Sequence, residues 1–199
     1  MKAIKFNSFK VRTTRKIIIL LKALALLTIC VSTAFAEPKN GFGLSAGWTS
    51  NNMSGTTIPG GTAYSYSSSG LDSGLDYQFA LSDRLSINPF FMVSSENASS
   101  TTPQSVTNII HSLVGLQLRY WINNVFIGGH VEDYVEDIYA SSASTATSVG
   151  AGVGKGLLIG WESAKGAYIM ASIDAANISN SSSNVSLTGF RISFGRRWK

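Results

Sequence analysis

The chain has 199 residues, 16 of them Lys or Arg and 11 Asp or Glu, for a formal net charge of +5. That length suits one domain once a targeting segment is set aside. Seven of the 16 basic residues and none of the acids lie in residues 1–36, so residues 37–199 carry 9 basic and 11 acidic side chains, a net of −2. This balance excludes the basic footprint of a nucleic-acid-binding protein. The single cysteine, Cys30, leaves residues 37–199 without disulfide or thiol chemistry.

The first element is a leader. Lys2, Lys5, Lys10, Arg12, Arg15 and Lys16 precede an apolar run from Ile17 to Val31 that only Lys22 interrupts. Ala34-Phe35-Ala36 then supplies the small-x-small pattern of a signal-peptidase site, so residues 1–36 are expected to be a cleavable signal peptide. The apolar run is short for a membrane-spanning helix. Leu27-Thr28-Ile29-Cys30 approximates a lipoprotein processing site, but Ile29 stands where a small residue is normal.

From residue 37 on, period-two alternation replaces any helical period. Eight segments carry it: Gly41 to Trp48, Leu71 to Phe79, Leu85 to Val93, Ser112 to Trp121, Val125 to Tyr134, Ser148 to Trp161, Ala167 to Ala175, and Val185 to Trp198. Links after the odd segments are long and rich in Ser, Thr and Asn, such as 64–69, 97–102, 141–145 and 179–184. Links after the even segments are short, at Ser82-Asp83, Asn123-Asn124 and Glu162 to Lys165. An even strand number with alternating long and short links is the signature of an all-β, eight-stranded antiparallel up-and-down transmembrane β-barrel, spanning 37–199.

Polarity supports lipid outside rather than water. One register of each segment is largely apolar, and the other holds Gly, Ser, Asn, Gln and scattered charge, which suits the narrow lumen of eight strands. Asp72, Asp76, Asn88, Gln117, Arg119, His130, Glu132, Asp174 and Arg191 fall on that inner register and are expected to pair as a structural polar network, because a lone buried charge is costly. Trp48 at the outer end, and Tyr77, Phe79, Tyr120, Trp121, Trp161 and Trp198 at the inner ends, form the expected aromatic girdle.

The last segment, Gly189-Phe190-Arg191-Ile192-Ser193-Phe194 closing at Trp198, resembles the C-terminal signal read by barrel-assembly machinery, with Gly189, Ile192, Phe194 and Trp198 at its marked positions. Residues 37–199 resemble in architecture the eight-stranded outer-membrane barrels of the OmpA-type membrane domain, the opacity-type surface proteins and the OmpX/Ail group. Lys199 departs from the family habit of ending on the aromatic, and Arg196 shares the outward register, where its stem can snorkel. The resemblance implies outer-membrane location with both ends periplasmic. It also implies contact with membrane lipid, lipopolysaccharide and the assembly machinery, and action on host or envelope surface molecules through extracellular loops.

Some residues test this register. Lys155 shares the parity of Val149, Ala151 and Val153, so a bulge near Gly154 or Gly156 is expected to turn it inward. His111 is expected to be an outer loop residue, and Val131 to Tyr139 a solvated acidic loop without calcium-loop spacing. Across the Asn123-Asn124 turn, Gln117 should face His130. No cofactor is expected, and no stretch carries a catalytic motif. A lipid A-modifying enzyme built on His130 or His111, and a narrow pore, are the alternatives to a structural or adhesive surface barrel.

Overall fold

The computed structural model describes residues 38–57, 63–100, 106–140, 148–179 and 183–198. The expected signal peptide 1–36, the segment 141–145 and Lys199 lie outside the described residues. Eight antiparallel strands form one closed barrel: β1 (Gly41–Thr57), β2 (Ala63–Ser82), β3 (Leu85–Ser100), β4 (Val106–Ile122), β5 (Val125–Ala140), β6 (Ser148–Glu162), β7 (Ala167–Ser179) and β8 (Ser183–Trp198). Each pairs with its sequence neighbour, and β8 closes on β1. Closure leaves no edge strand with unpaired backbone groups, which is the condition for β-structure in lipid. Tight turns at 83–84, 123–124 and 163–166 mark the lower end, where Pro38 and Trp198 also lie. Asn123 takes the left-handed φ of 56° that the second of these turns requires, a conformation Asn tolerates well.

The register fixes the geometry. Register partners lead from Ala46 through Ser73, Val93, Ser112, Val135, Ala151, Ser179 and Asn184 back to β1 at Thr56, ten residues higher. With eight strands, this shear tilts each strand by roughly 40° to the barrel axis. Each residue then climbs about 2.5 Å, and each step to the next strand's partner about 3 Å.

On that scale the outward apolar side chains start at Leu81 and Ile122 and form a belt up to the row of Leu71, Val93 and Phe190, about 25 Å higher, which is the height of a lipid-facing band; on β5 and β6 the exposed Val135 and Val153 stand just above that row. Phe42, Tyr77, Phe79, Tyr120, Trp161 and Trp198 ring its lower edge. Phe42 packs on Trp198 with centroids 6.4 Å apart, and Tyr77 on Phe79 at 4.6 Å. Tyr120 hydrogen-bonds Arg84 in the turn below and so pushes that guanidinium's pKa further up. Trp48 stands on the upper row of the belt.

Three expectations are corrected here. Trp121 is not a girdle residue: it points into the barrel, is 2 % exposed, and donates from Nε1 to Ser86 Oγ at 3.0 Å. Lys155 is not turned inward, because β6 pairs with β5 and β7 without a break around Gly154 and Gly156. Its side chain is exposed on the outer face, level with Trp48, Val93 and Phe190 and diagonal to the outward Asp133. At that edge of the belt a charge costs only about 0–1 kcal/mol, against roughly 2–4 at mid-height. Lastly, residues 64–69 and 97–100 are strand, not loop. Above the belt the strands continue for several residues, and on β1, β2, β3 and β8 their outer face changes to Ser50, Asn52, Ser67, Ser69, Ser95, Asn97, Ser186 and Thr188, whereas β5 and β6 still expose Val135 and Val153.

Candidate functional site

Strand alternation sends every second side chain inward, and the lumen fills in three polar tiers under an apolar cap. Among the described residues, seven carboxylates (Asp72, Asp76, Glu96, Glu132, Glu136, Glu162, Asp174) are buried there with three arginines and both histidines.

The lowest tier centres on Asp76 of β2. Its Oδ2 accepts from Arg197 Nη2 at 2.6 Å and from Arg119 Nη2 at 3.2 Å, and Arg197 also pairs with Glu162. Arg119 donates to Gln117 through Nε at 3.0 Å and stacks 4.6 Å above the Phe126 ring. Asn88 bridges Ser86 and Gln78 at 3.2 and 3.3 Å. Trp121, Phe126, Leu158 and Met170 pack beside this tier as a small apolar cluster.

The middle tier holds Arg191 of β8 among three carboxylates. Its nitrogens lie 4.0 Å from Asp72 Oδ2, 4.0 Å from Glu132 Oε2 and 3.6 Å from Asp174 Oδ2. His130 of β5 completes the group, with Nε2 2.9 Å from Asp174 Oδ1 and 3.4 Å from Glu132 Oε1. As expected, Gln117 is the cross-strand partner of His130.

In the upper tier His111 bridges Glu96 of β3 and Glu136 of β5, at 2.9 Å from Nδ1 and 3.0 Å from Nε2. Glu96 also accepts from Asn51, Ser68 and Ser94. His111 is therefore no loop residue: it is 1 % exposed inside the barrel. The solvated acidic loop is corrected with it. Residues 131–139 belong to β5, and Glu132, Tyr134 and Glu136 face in while Val131, Asp133 and Val135 face out. Above this tier Met53, Tyr66, Ile109, Ile178, Val185 and Leu187 form an apolar core that closes the upper lumen.

All nine residues assigned to the polar network from sequence are buried in the lumen. Glu96, Glu136, His111, Glu162 and Arg197 were not included in it. Parity could have found them: Glu96 continues the Asn88 register and His111 the Gln117–Arg119 register. Of the assembly-signal positions, Ile192, Phe194 and Trp198 lie on the outer face of β8, and Gly189 turns to the lumen.

A closed antiparallel barrel of eight strands, with an apolar belt outside and paired charges within, is the architecture of the small outer-membrane barrels. Two solved structures with this fold are Ail, the attachment invasion locus protein of Yersinia pestis, in complex with the heparin analogue sucrose octasulfate, and the Neisserial surface protein A. Ail superposes with a TM-score of 0.53 at 13 % identity, covering 80 % of this chain and 99 % of its own. The Neisserial protein gives 0.50 at 10 % identity, covering 79 % and 97 %. No protein-family profile and no curated protein sequence matches the chain.

Proposed function

We propose that this chain is a bacterial outer-membrane barrel of structural or surface-interaction type, exported by its signal peptide, with both ends in the periplasm and its upper end outside the cell. The carrying observation is the change on the outer wall of β1, β2, β3 and β8 from an apolar belt to a collar of Ser, Asn and Thr, while the strands continue upward. A barrel that served only as an anchor needs no strands above the lipid. The extended wall presents hydroxyl and amide groups at fixed spacing, as on Asn52 and Ser67, where Ser67 Oγ donates to Asn52 Oδ1 at 2.8 Å.

The collar's chemistry suits uncharged partners, such as neutral sugars of lipopolysaccharide or of a host surface. The sulfated ligand carried by Ail does not transfer readily. Among the described residues, Lys155 is the sole cation on the upper half of the outer wall, and a polysulfate needs several. The enzyme alternative is disfavoured because His111 and His130 both lie inside the wall, out of reach of an acyl chain in the outer leaflet. The pore alternative is disfavoured by the filled lumen and its apolar cap, so planar bilayers holding the protein should stay electrically silent.

The test is a barrel in which Ser50, Asn52, Ser67 and Ser69 are changed to alanine. It should insert normally, keep its heat-modifiable gel mobility, and lose binding to glycan arrays or cells. Undiminished binding would reject the collar as the working surface. An acyl change in lipid A that disappears with His130→Ala would reject the non-enzymatic reading altogether.

A further inference from the structure

We propose that the middle tier of the lumen binds one divalent transition-metal ion, held by His130 and Glu132 of β5 and Asp174 of β7. One ligand atom from each residue, a ring nitrogen and two carboxylate oxygens, lies within 4.8 Å of the other two. The nitrogen stands 2.9 Å from the aspartate oxygen and 3.4 Å from the glutamate oxygen. Donors held about 2.1 Å from a zinc-sized ion are spaced about 2.9 to 3.4 Å apart, in octahedral or tetrahedral arrangement. Imidazole with carboxylates is a donor set such ions accept.

Proximity alone does not imply a ligand. The second observation is that these buried atoms make no well-aligned hydrogen bond. Neither ring nitrogen of His130, neither oxygen of Glu132, nor Asp174 Oδ1 makes a well-aligned hydrogen bond, although Glu132 is only 2 % exposed; Nε2 is held only by charge between the two carboxylates, and Nδ1 has no ion-pair contact among the described residues. His130 Nε2 is close to Asp174 but out of line for a bond. Buried polar atoms are nearly always satisfied. His111 shows the satisfied alternative one tier above, with each ring nitrogen bonded to its own carboxylate. In the middle tier both carboxylates instead aim one oxygen at the imidazole. Arg191 approaches their other oxygens, Glu132 Oε2 and Asp174 Oδ2.

Charge points the same way. The middle and upper tiers hold five carboxylates, Asp72, Glu96, Glu132, Glu136 and Asp174, against Arg191 and two imidazoles. Even with both imidazoles protonated the balance stays negative, and Asp72 keeps two oxygens without hydrogen bonds beside the cluster. A divalent cation on a neutral His130 replaces one proton with two charges and so reduces this deficit where low dielectric makes it costly.

The fold also makes the space. His-x-Glu on one strand puts both side chains on one face, but Asp174 lies two strands away. Gly156 on the intervening β6 lets them meet. A Cβ there would sit 2.5 Å from His130 Cε1 and 2.7 Å from Nε2. The ion therefore staples β5 to β7 across β6. It loads as the barrel folds, because the apolar cap and the lower cluster then close over it.

The test uses the full-length mature chain without an affinity tag, refolded in detergent with Zn²⁺ alone, with Mn²⁺ alone, or with EDTA. Metal content is read by plasma mass spectrometry after gel filtration. One equivalent of zinc or manganese should co-elute with the folded barrel, His130→Asn should drop it to background, and His111→Asn should retain it. X-ray absorption at the metal edge of the unmutated protein should report one imidazole and carboxylate oxygens, which keeps the proposal testable if a variant does not fold. A barrel that emerges metal-free, equal retention in His130→Asn, or an edge spectrum without imidazole would overturn it and leave an imidazolium ion pair only.

Discussion

Replacing Asp76 with alanine will destabilise the barrel by about 3–5 kcal/mol, the cost of removing one partner from a buried ion pair. Asp76 is 6 % exposed and holds two guanidiniums at once, Arg119 and Arg197. Without it Arg197 keeps Glu162 and the Tyr168 ring, and Arg119 keeps Gln117 and the Phe126 ring. The measurement is urea unfolding of the refolded protein, in detergent or lipid, followed by tryptophan fluorescence. Asp83→Ala, in the exposed turn, should change stability by no more than about 0.5 kcal/mol. Adding Arg119→Met to Asp76→Ala should recover part of the loss, because the unpaired cation is then gone. Equal costs for Asp76→Ala and Asp83→Ala would mean that the lower tier is hydrated rather than sealed.

The second large effect tests the height scale of the outer wall. Leu116 lies outward near mid-belt, in register with Val131 and Pro89 on the neighbouring strands. Leu116→Arg should cost about 2–4 kcal/mol of folding free energy in a bilayer, the depth-dependent penalty for a lipid-facing charge. Val153 also faces out but sits above Lys155, beyond the belt. Val153→Arg should cost about 0–1 kcal/mol. Folding titrations into vesicles with varied denaturant read both. Equal penalties would move the belt upward and place Lys155 in hydrocarbon after all.

The eight segments, their order and their inner and outer faces were legible in the chain because a strand's side-chain period is two and each wall meets one solvent. Phe42, Leu44 and Trp48 against Gly43 and Gly47 need no partner to show which way they point. The same parity placed Asp76, Arg119, His130, Glu132, Asp174 and Arg191 in the lumen, and Arg196 on the outer wall over the Trp198 ring.

Strand length was not legible. The apolar alternation stops where the belt stops, at Val93 on β3 and near Ser112 on β4, but pairing continues to Ser100 and starts at Val106. Above the belt the outer face needs no apolar residues, so the inner register alone carries on, through Glu96 and His111. Ending those strands early is what put His111 and the residues after Glu132 in loops.

By itself, the sequence determined the local quantities: the period of each segment, the placement of turns, and which side chains share a wall. The tertiary structure alone decided the non-local ones. Closure with a ten-residue shear sets the height of each side chain. That shear puts Lys155 at the belt's edge and brings His130, Glu132 and Asp174 together across β6. The physical reason is that parity is a property of one strand, whereas height and cross-lumen neighbours depend on the register of all eight strands at once.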